Sequence, residues 1–213
     1  MFWIDFFAWS CSFKNNAVKK WYDIIATDLI KYEGVDYLTN ILNFDFTKID
    51  KIPDILWFSP PCTTFSVASI STHWTWWVWK YKPKTKESKL WLKILDHTIY
   101  ILSIYIKKNP DLKWYLENPR WIMRKVIDEI FEKYSICRVR KTITYCQYWA
   151  NNMKPTDIWT NDTKWIPKKI CKNWDSCHVS APRWSRTWTQ WLKNAFERGK
   201  IPDLLFDEIL CTK

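Results

Sequence analysis

Two short stretches carry reactive side chains to places where the chain must turn. In Leu56–Ser66, reading LWFSPPCTTFS, an apolar run ends in Ser59-Pro60-Pro61, and Cys62 follows at once. Two prolines set φ and remove backbone donors, so a strand stops there and Cys62 sits on a stiff turn. In Leu116–Arg120, reading LENPR, a second strand-like run carries Glu117 and ends at Asn118-Pro119. In an open α/β sheet, ligands bind beyond the carboxyl ends of the strands. A thiolate held there can add to an electron-poor ring carbon, and a carboxylic acid can protonate a ring nitrogen to make that attack possible. The competing reading of Cys62 is a small buried apolar residue, which a lone cysteine by itself favours.

The elements that must position these groups alternate along the chain. Phe2–Phe7 is an apolar run, followed by the turn Ala8-Trp9-Ser10-Cys11 and a helix-like segment to Lys20. Tyr22–Ala26 is a second apolar run ending at Asp28, an acidic residue about twenty positions after the first turn, where dinucleotide folds hold ribose hydroxyls. Tyr37–Phe46 leads to a third strand region, and Asp54–Ser59 forms the strand before Cys62. Ile70–Ser88 is polar and basic, with Lys80, Lys82, Lys84 and Lys86, and reads as a mobile loop able to close over a substrate. The 3.6 spacing of apolar residues predicts a helix over Leu90–Lys107. Lys113–Glu117 reads as a strand, Ile122–Tyr134 as a helix, Ile136–Tyr145 as a β-forming run, and Asp157–Thr160 as a short strand. Gln190–Arg198 and Ile201–Leu210 read as helices, and no internal repeat is present. Alternation of this kind predicts an α/β fold with a doubly wound, mostly parallel, Rossmann-like sheet.

Composition narrows the partners. A formal net charge of +11 suits a polyanion. Seven cysteines without a secretory segment read as thiols in a reducing cytoplasm, not as a disulfide framework. The most apolar helical stretch, Leu90–Ile106, carries Lys93, Asp96 and His97, and is too short and too charged to span a membrane. Cys171, Cys177 and His178 offer three zinc-ligand types, but structural zinc needs four. Cys146 or Cys137 could complete the set, yet spacing does not support either, so the expectation is free thiols in a loop and no metal.

One feature of the composition is anomalous: 2 glycines and 18 tryptophans in 213 residues. Globular chains average about 7% glycine, and a doubly wound fold needs it at tight turns. Tryptophan stands instead in turn contexts. We therefore read Trp3, Trp9, Trp21, Trp76, Trp77, Trp79, Trp91, Trp121, Trp149, Trp174, Trp184, Trp188 and Trp191 as glycines in the natural protein, mistranslated from UGA codons that certain bacteria and their phages decode as glycine. Thirteen plus the two present makes 15 of 213, an ordinary glycine content of about 7%. Trp57, Trp74, Trp114, Trp159 and Trp165 remain tryptophan. UGG codons at the thirteen positions would refute this reading, and the chain would then be a tryptophan-rich binding module.

With these residues in order, the sequence resembles the cytosine-5 DNA methyltransferases, in particular compact phage-type members. The resemblance rests on SPPCTTFS (Ser59–Ser66), LENPR (Leu116–Arg120) and DFFAWS (Asp5–Ser10), the last once position 9 is glycine. It implies the sheet of the S-adenosylmethionine-dependent methyltransferases, with a catalytic core over residues 1–165 and a short basic C-terminal segment over 166–213. S-adenosyl-L-methionine would lie along the strand ends, with Phe7 against the adenine and Ala8, Trp9 (as glycine) and Ser10 at the methionine-side turn. Asp28 would hold the ribose hydroxyls and Asn40 the adenine amino group, with Pro60 completing the cofactor set. The substrate would be a cytosine flipped out of double-stranded DNA. Cys62, held by Pro61, would attack carbon 6, and Glu117 would contact nitrogen 3 and the exocyclic amine. Asn118 and Pro119 would brace Glu117, and Arg120 would lie near a phosphate or the catalytic loop.

Three departures from the family pattern stand out. Asn40 replaces an aspartate, Cys11 replaces the second glycine of the first turn, and the family's Gln-x-Arg-x-Arg maps onto Asn152, Lys154 and Thr156, leaving Lys154 as its one cation. The chain leaves little room for a target-recognition domain, so recognition falls to Ile70–Ser88 and Cys171–Gln190, with Arg183 and Arg186 on phosphates. The expected setting is the cytoplasm of a bacterium or phage-infected cell, in restriction–modification, as a monomer without membrane contact. The rival readings are an RNA cytosine methyltransferase and a catalytically impaired DNA-binding homologue.

Overall fold

Runs of β-branched and aromatic residues become strands buried on both faces. The structure, a computed structural model, describes residues 1–66, 69–77, 80–172, 174–179, 197 and 199–211. Among these, the strands are β1 (Phe2–Phe6), β2 (Asp23–Asp28), β3 (Tyr37–Leu38), β4 (Ile55–Phe58), β5 (Trp74–Trp77), β6 (Lys80–Pro83), β7 (Lys113–Pro119), β8 (Val139–Thr144) and β9 (Pro155–Thr160). The helices are α1 (Ser12–Lys19), α2 (Ile70–His73), α3 (Lys86–Lys108), α4 (Met123–Lys133) and α5 (Asp203–Cys211). Seven strands form one sheet in the order β3-β2-β1-β4-β7-β9-β8. β1, β2, β3, β4 and β7 run parallel, while β9 is antiparallel to both β7 and β8. This is the doubly wound α/β sheet the alternation predicts, and β1 and β4 are buried at every position, as parallel strands covered on both faces must be.

Period-2 alternation divides the core. Ile4, Phe6, Leu56, Phe58, Trp114 and Leu116 face α3 and α4. Trp3, Trp57, Tyr115 and Ile158 face the other way, against Phe13 of α1 and Leu205 and Phe206 of α5. α3 begins at Lys86, four residues before the apolar spacing shows it, because Thr85 and Ser88 form a reciprocal capping box: Ser88 N donates to Thr85 Oγ1 at 3.2 Å and Thr85 N to Ser88 Oγ at 3.1 Å.

The structure corrects two expectations. The described residues of Ile70–Ser88 carry regular structure where the sequence reads as a loop: α2 leads into the antiparallel β5–β6 pair, with Trp76 edge-on to Tyr81 across the strands. Trp74 anchors it, its buried indole donating to the Thr64 carbonyl at 2.6 Å. In addition, β7 continues past Glu117 through Asn118 and Pro119, which pair with Asp157 and Thr156 of β9. A proline is tolerated there because it is the last residue of the strand. No helix among the described residues is long and apolar enough to cross a membrane.

The tryptophans separate into two populations. Trp57, Trp74, Trp114, Trp159 and Trp165 are all buried. Of the thirteen read as glycine, those with described side chains are mostly not. Trp3 is buried, Trp9 and Trp91 are partly covered, and Trp21, Trp76, Trp121, Trp149 and Trp174 are exposed. Trp21 is 95% exposed and left-handed, with φ 61°. It follows α1 in a Schellman cap, Trp21 N donating to Val18 O and Tyr22 N to Ala17 O, where glycine is the usual residue. Trp149, 84% exposed at φ 68°, closes the 3-10 turn Tyr145–Tyr148 in the same way. Trp79, Trp184, Trp188 and Trp191, with Arg183 and Arg186, lie outside the described residues.

Candidate active site

The parallel β4–β7 pairing sets Phe58 beside Leu116, so Ser59-Pro60-Pro61-Cys62 leaves the sheet beside Glu117 and Asn118, which stay in β7 paired with β9. One hydrogen bond locks the two ends together: Asn118 Nδ2 donates to the Pro60 carbonyl at 2.8 Å. The Asn118 Oδ1 atom is buried with no hydrogen-bond partner. Cys62 is partly exposed and in no disulfide. It opens a turn in which Phe65 N donates to the Cys62 carbonyl at 2.9 Å, and Ile122 N donates to the Phe65 carbonyl at 3.3 Å. The thiol is thus carried on a stiff turn, as the prolines require.

Glu117 is buried, and two groups from the far side of the sheet meet it. Tyr145 Oη donates to Glu117 Oε1 at 2.8 Å, and Lys154 Nζ lies 3.9 Å from the same oxygen. The ammonium also stands over the Tyr145 ring, 4.6 Å from its centroid. Burial, and then the Glu117 charge and hydrogen bond, push the Tyr145 phenol well above its ordinary pKa, so it remains a protonated donor. The sequence marks Lys154 through a weak motif match but gives no sign of Tyr145, which reads as the end of a β-forming run. The antiparallel β8–β9 pairing, Thr144 opposite Pro155, brings Tyr145 and Lys154 together. Arg124 is a second residue visible only in the fold. From α4 it forks onto both carboxylate oxygens of buried Asp157, which also accepts from Thr142 Oγ1 at 2.8 Å. Asn152 and Thr156 are buried, whereas the Arg120 side chain is exposed and its backbone N–H donates to the Pro155 carbonyl.

The proposed cofactor residues fall into two groups. Phe7, Ala8, Trp9 and Ser10 line one pocket, together with Asp5 and Ser59. Phe7 is left-handed at φ 61° and Cys11 at φ 47°. Cys11 is the cap of α1 yet makes no side-chain cap bond; its thiol donates to the Ala8 carbonyl at 3.0 Å, and burial raises its pKa to about 11. Asp5 is buried beneath the turn, and desolvation lifts its carboxyl to about 8 against one opposing bond from Lys14 N. Asp28, at the carboxyl end of β2, accepts from Ile30 N at 2.9 Å, and burial raises its pKa. Asn40 is exposed and uses its side chain to cap a 3-10 turn, accepting from Leu42 N at 3.0 Å. The Trp9 indole crosses the pocket to Gly199 so closely that a β-carbon at 199 would fall 2.0 Å from Trp9 Cζ2.

Phe7 and Asp28 stand at the carboxyl ends of the adjacent strands β1 and β2, and the Trp9 indole occupies part of the pocket that Phe7, Ala8 and Ser10 line. Away from this site, Cys146, Cys171, Cys177 and His178 converge, with ligand atoms all within 4.8 Å of one another. Cys171, Cys177 and His178 are the three the sequence offers, and the fold supplies Cys146 as a fourth.

No protein-family model matches the chain, and no curated protein does. Solved structures do. Entamoeba histolytica methyltransferase EhMeth is 14% identical with a TM-score of 0.50, over 79% of this chain and 55% of that one. A mutant of Spodoptera frugiperda DNMT2 is 14% identical at a TM-score of 0.46, covering 79% and 52%. Schizosaccharomyces pombe (S. pombe) Dnmt2 methyltransferase is 11% identical at 0.49, covering 75% and 50%. The chain spans about half the length of these proteins. From the EhMeth match and its own strand order, the chain has the fold of the S-adenosylmethionine-dependent methyltransferases.

Proposed function

We propose that the chain is a DNA cytosine-5 methyltransferase acting on a cytosine flipped out of the duplex. The observation that carries this reading is the pairing of Cys62 and Glu117 on neighbouring strand ends, joined by the Asn118–Pro60 hydrogen bond. The Cys62 thiolate adds to carbon 6 of the ring, and Glu117 supplies a proton toward nitrogen 3, so the electron pair displaced by sulfur reaches carbon 5. S-adenosylmethionine, when bound, supplies the methyl group that carbon 5 takes. Loss of the carbon-5 proton to a base then expels Cys62 and restores the ring. Tyr145 and Lys154 hold the Glu117 carboxyl in position. Base flipping is required because carbons 5 and 6 are out of reach inside a stacked duplex.

The same proposal includes glycine at the thirteen positions. Supporting it are the exposed, left-handed Trp21 and Trp149 and the Trp9 indole lying in the cofactor pocket. A left-handed conformation disfavours any residue with a β-carbon by about 1–2 kcal/mol.

The test uses the glycine-bearing protein, labelled S-adenosylmethionine, and duplex DNA or RNA containing 5-fluorocytosine, in which the carbon-5 fluorine cannot leave as a proton. The expected product is a covalent complex on DNA that Cys62→Ser abolishes. A complex on RNA alone would move the substrate to RNA, and none on either polymer would end the proposal.

A further inference from the structure

The second cluster of reactive side chains lies beyond the end of β8. Cys146 sits in the 3-10 turn Tyr145–Tyr148 and is buried. Cys171, Cys177 and His178 come from the segment after β9, which is tied to the end of β8 by Cys171 N donating to Thr144 Oγ1 at 3.1 Å. Between Cys171 and Cys177 the chain reverses tightly, with Lys172 N on Asp175 Oδ2 at 2.7 Å and Asp175 N on the Lys172 carbonyl at 3.0 Å. This reversal returns Cys177 and His178 to face Cys146.

Three of the spacings are close to the edges of a coordination tetrahedron. Zinc–sulfur bonds of about 2.3 Å and zinc–nitrogen bonds of about 2.0 Å place tetrahedral ligands about 3.8 Å (S···S) and about 3.5 Å (S···N) apart. Here Cys146 and Cys177 sulfurs are 3.6 Å apart, and His178 Nδ1 is 3.4 Å from Cys177 Sγ and 3.8 Å from Cys171 Sγ. Cys146 and Cys171 sulfurs, at 3.0 Å, are closer than the ideal edge but well beyond a disulfide bond of about 2.04 Å. A disulfide would also have no use for the third sulfur and the imidazole. Gln147 Nε2 donates to Cys177 Sγ at 3.3 Å, the kind of outer contact that orients a thiolate ligand.

We infer that Cys146, Cys171, Cys177 and His178 bind a structural zinc ion. Four protein ligands complete the tetrahedron and leave no position for substrate, so the role is to hold the chain, not to activate water. The metal would fasten the segment after β9 to the turn that begins with Tyr145, whose hydroxyl bonds Glu117.

The test is the metal content of the reduced full-length chain after Zn2+ is added and loose metal removed. About one zinc per chain is expected, and Co2+ in its place should give the thiolate charge-transfer and visible bands of a tetrahedral site. Cys171→Ser and Cys177→Ser should each bring zinc to background, while Cys137→Ser, at an exposed cysteine outside the cluster, should keep it. Because Cys177 is exposed, its variant also tests the site apart from core packing, with circular dichroism reporting whether the fold is kept. Zinc absent from the reduced wild type, full zinc in either ligand variant, or a Cys146–Cys171 disulfide in a zinc-free protein would each overturn the inference.

Discussion

The strand ends of β4 and β7 and the turn after β1 lie at the same edge of the sheet but are built differently. Around Cys62 and Glu117, side chains do the bracing: Asn118 holds the Pro60 carbonyl, Trp74 holds the Thr64 carbonyl, and Tyr145 and Lys154 hold Glu117. At the turn after β1, backbone shape should do the work, yet Phe7 and Cys11 occupy left-handed positions and an indole stretches from position 9 to Gly199. Chemistry carried on side chains tolerates exchange elsewhere in the sequence. At a turn that must let a ligand approach its backbone, an indole at position 9 fills space that a glycine would leave open.

Substitutions can separate the two regions. Cys62→Ala should lower methyl transfer by at least about 10³-fold, as loss of a nucleophile does, while leaving S-adenosylmethionine binding unchanged by titration. Equal turnover would break the assignment of the reaction to this edge. Tyr145→Phe removes a hydrogen bond to a carboxylate and should lower kcat about 10-fold with KM unchanged. It should also shift the acidic limb of the pH–rate profile, which purely structural damage would not. In the other region, Trp9→Gly should tighten S-adenosylmethionine binding by about 10-fold, or ~1.4 kcal/mol, by calorimetry. An unchanged dissociation constant would show that the indole does not obstruct the cofactor.

Two smaller effects sharpen the contrast. Burial raises Asp5 from 3.8 to about 8, so between those values the folded chain keeps a proton that the unfolded chain releases. The stability this contributes is complete below about pH 4 and is lost as pH rises toward 8. The melting temperature should therefore fall across that window, and Asp5→Asn should flatten the fall. Finally, Trp21→Gly and Trp149→Gly should each stabilise the chain by ~1 kcal/mol in urea titrations, since each relieves a left-handed residue that the fold does not bury. Destabilisation would mean that the exposed indoles serve the folded protein.

Much of the sheet was legible in the sequence because parallel strands buried on both faces read as unbroken apolar runs; Phe2–Phe6 and Ile55–Phe58 are examples. Cys62 and Glu117 were legible because proline marks the ends of their runs. The β5–β6 hairpin was not, since reading Trp76 and Trp77 as glycines leaves only Trp74 and Thr75 as β-formers in β5. Tyr145 and Arg124 were invisible for another reason, and the choice of Cys146 over Cys137 as the fourth member of the Cys–His cluster was open for the same one: each depends on pairings between residues far apart in the chain.

By itself, then, the sequence determined which reactive groups stand at strand ends, through local rules of proline, apolar runs and turns that act over a few residues. Only the tertiary structure decided what surrounds them. The antiparallel β7–β9–β8 ladder sets Tyr145 and Lys154 on Glu117, and the reversal after Cys171 returns Cys177 and His178 to Cys146. Such neighbours are chosen by long-range strand register and chain reversal, which no local spacing records.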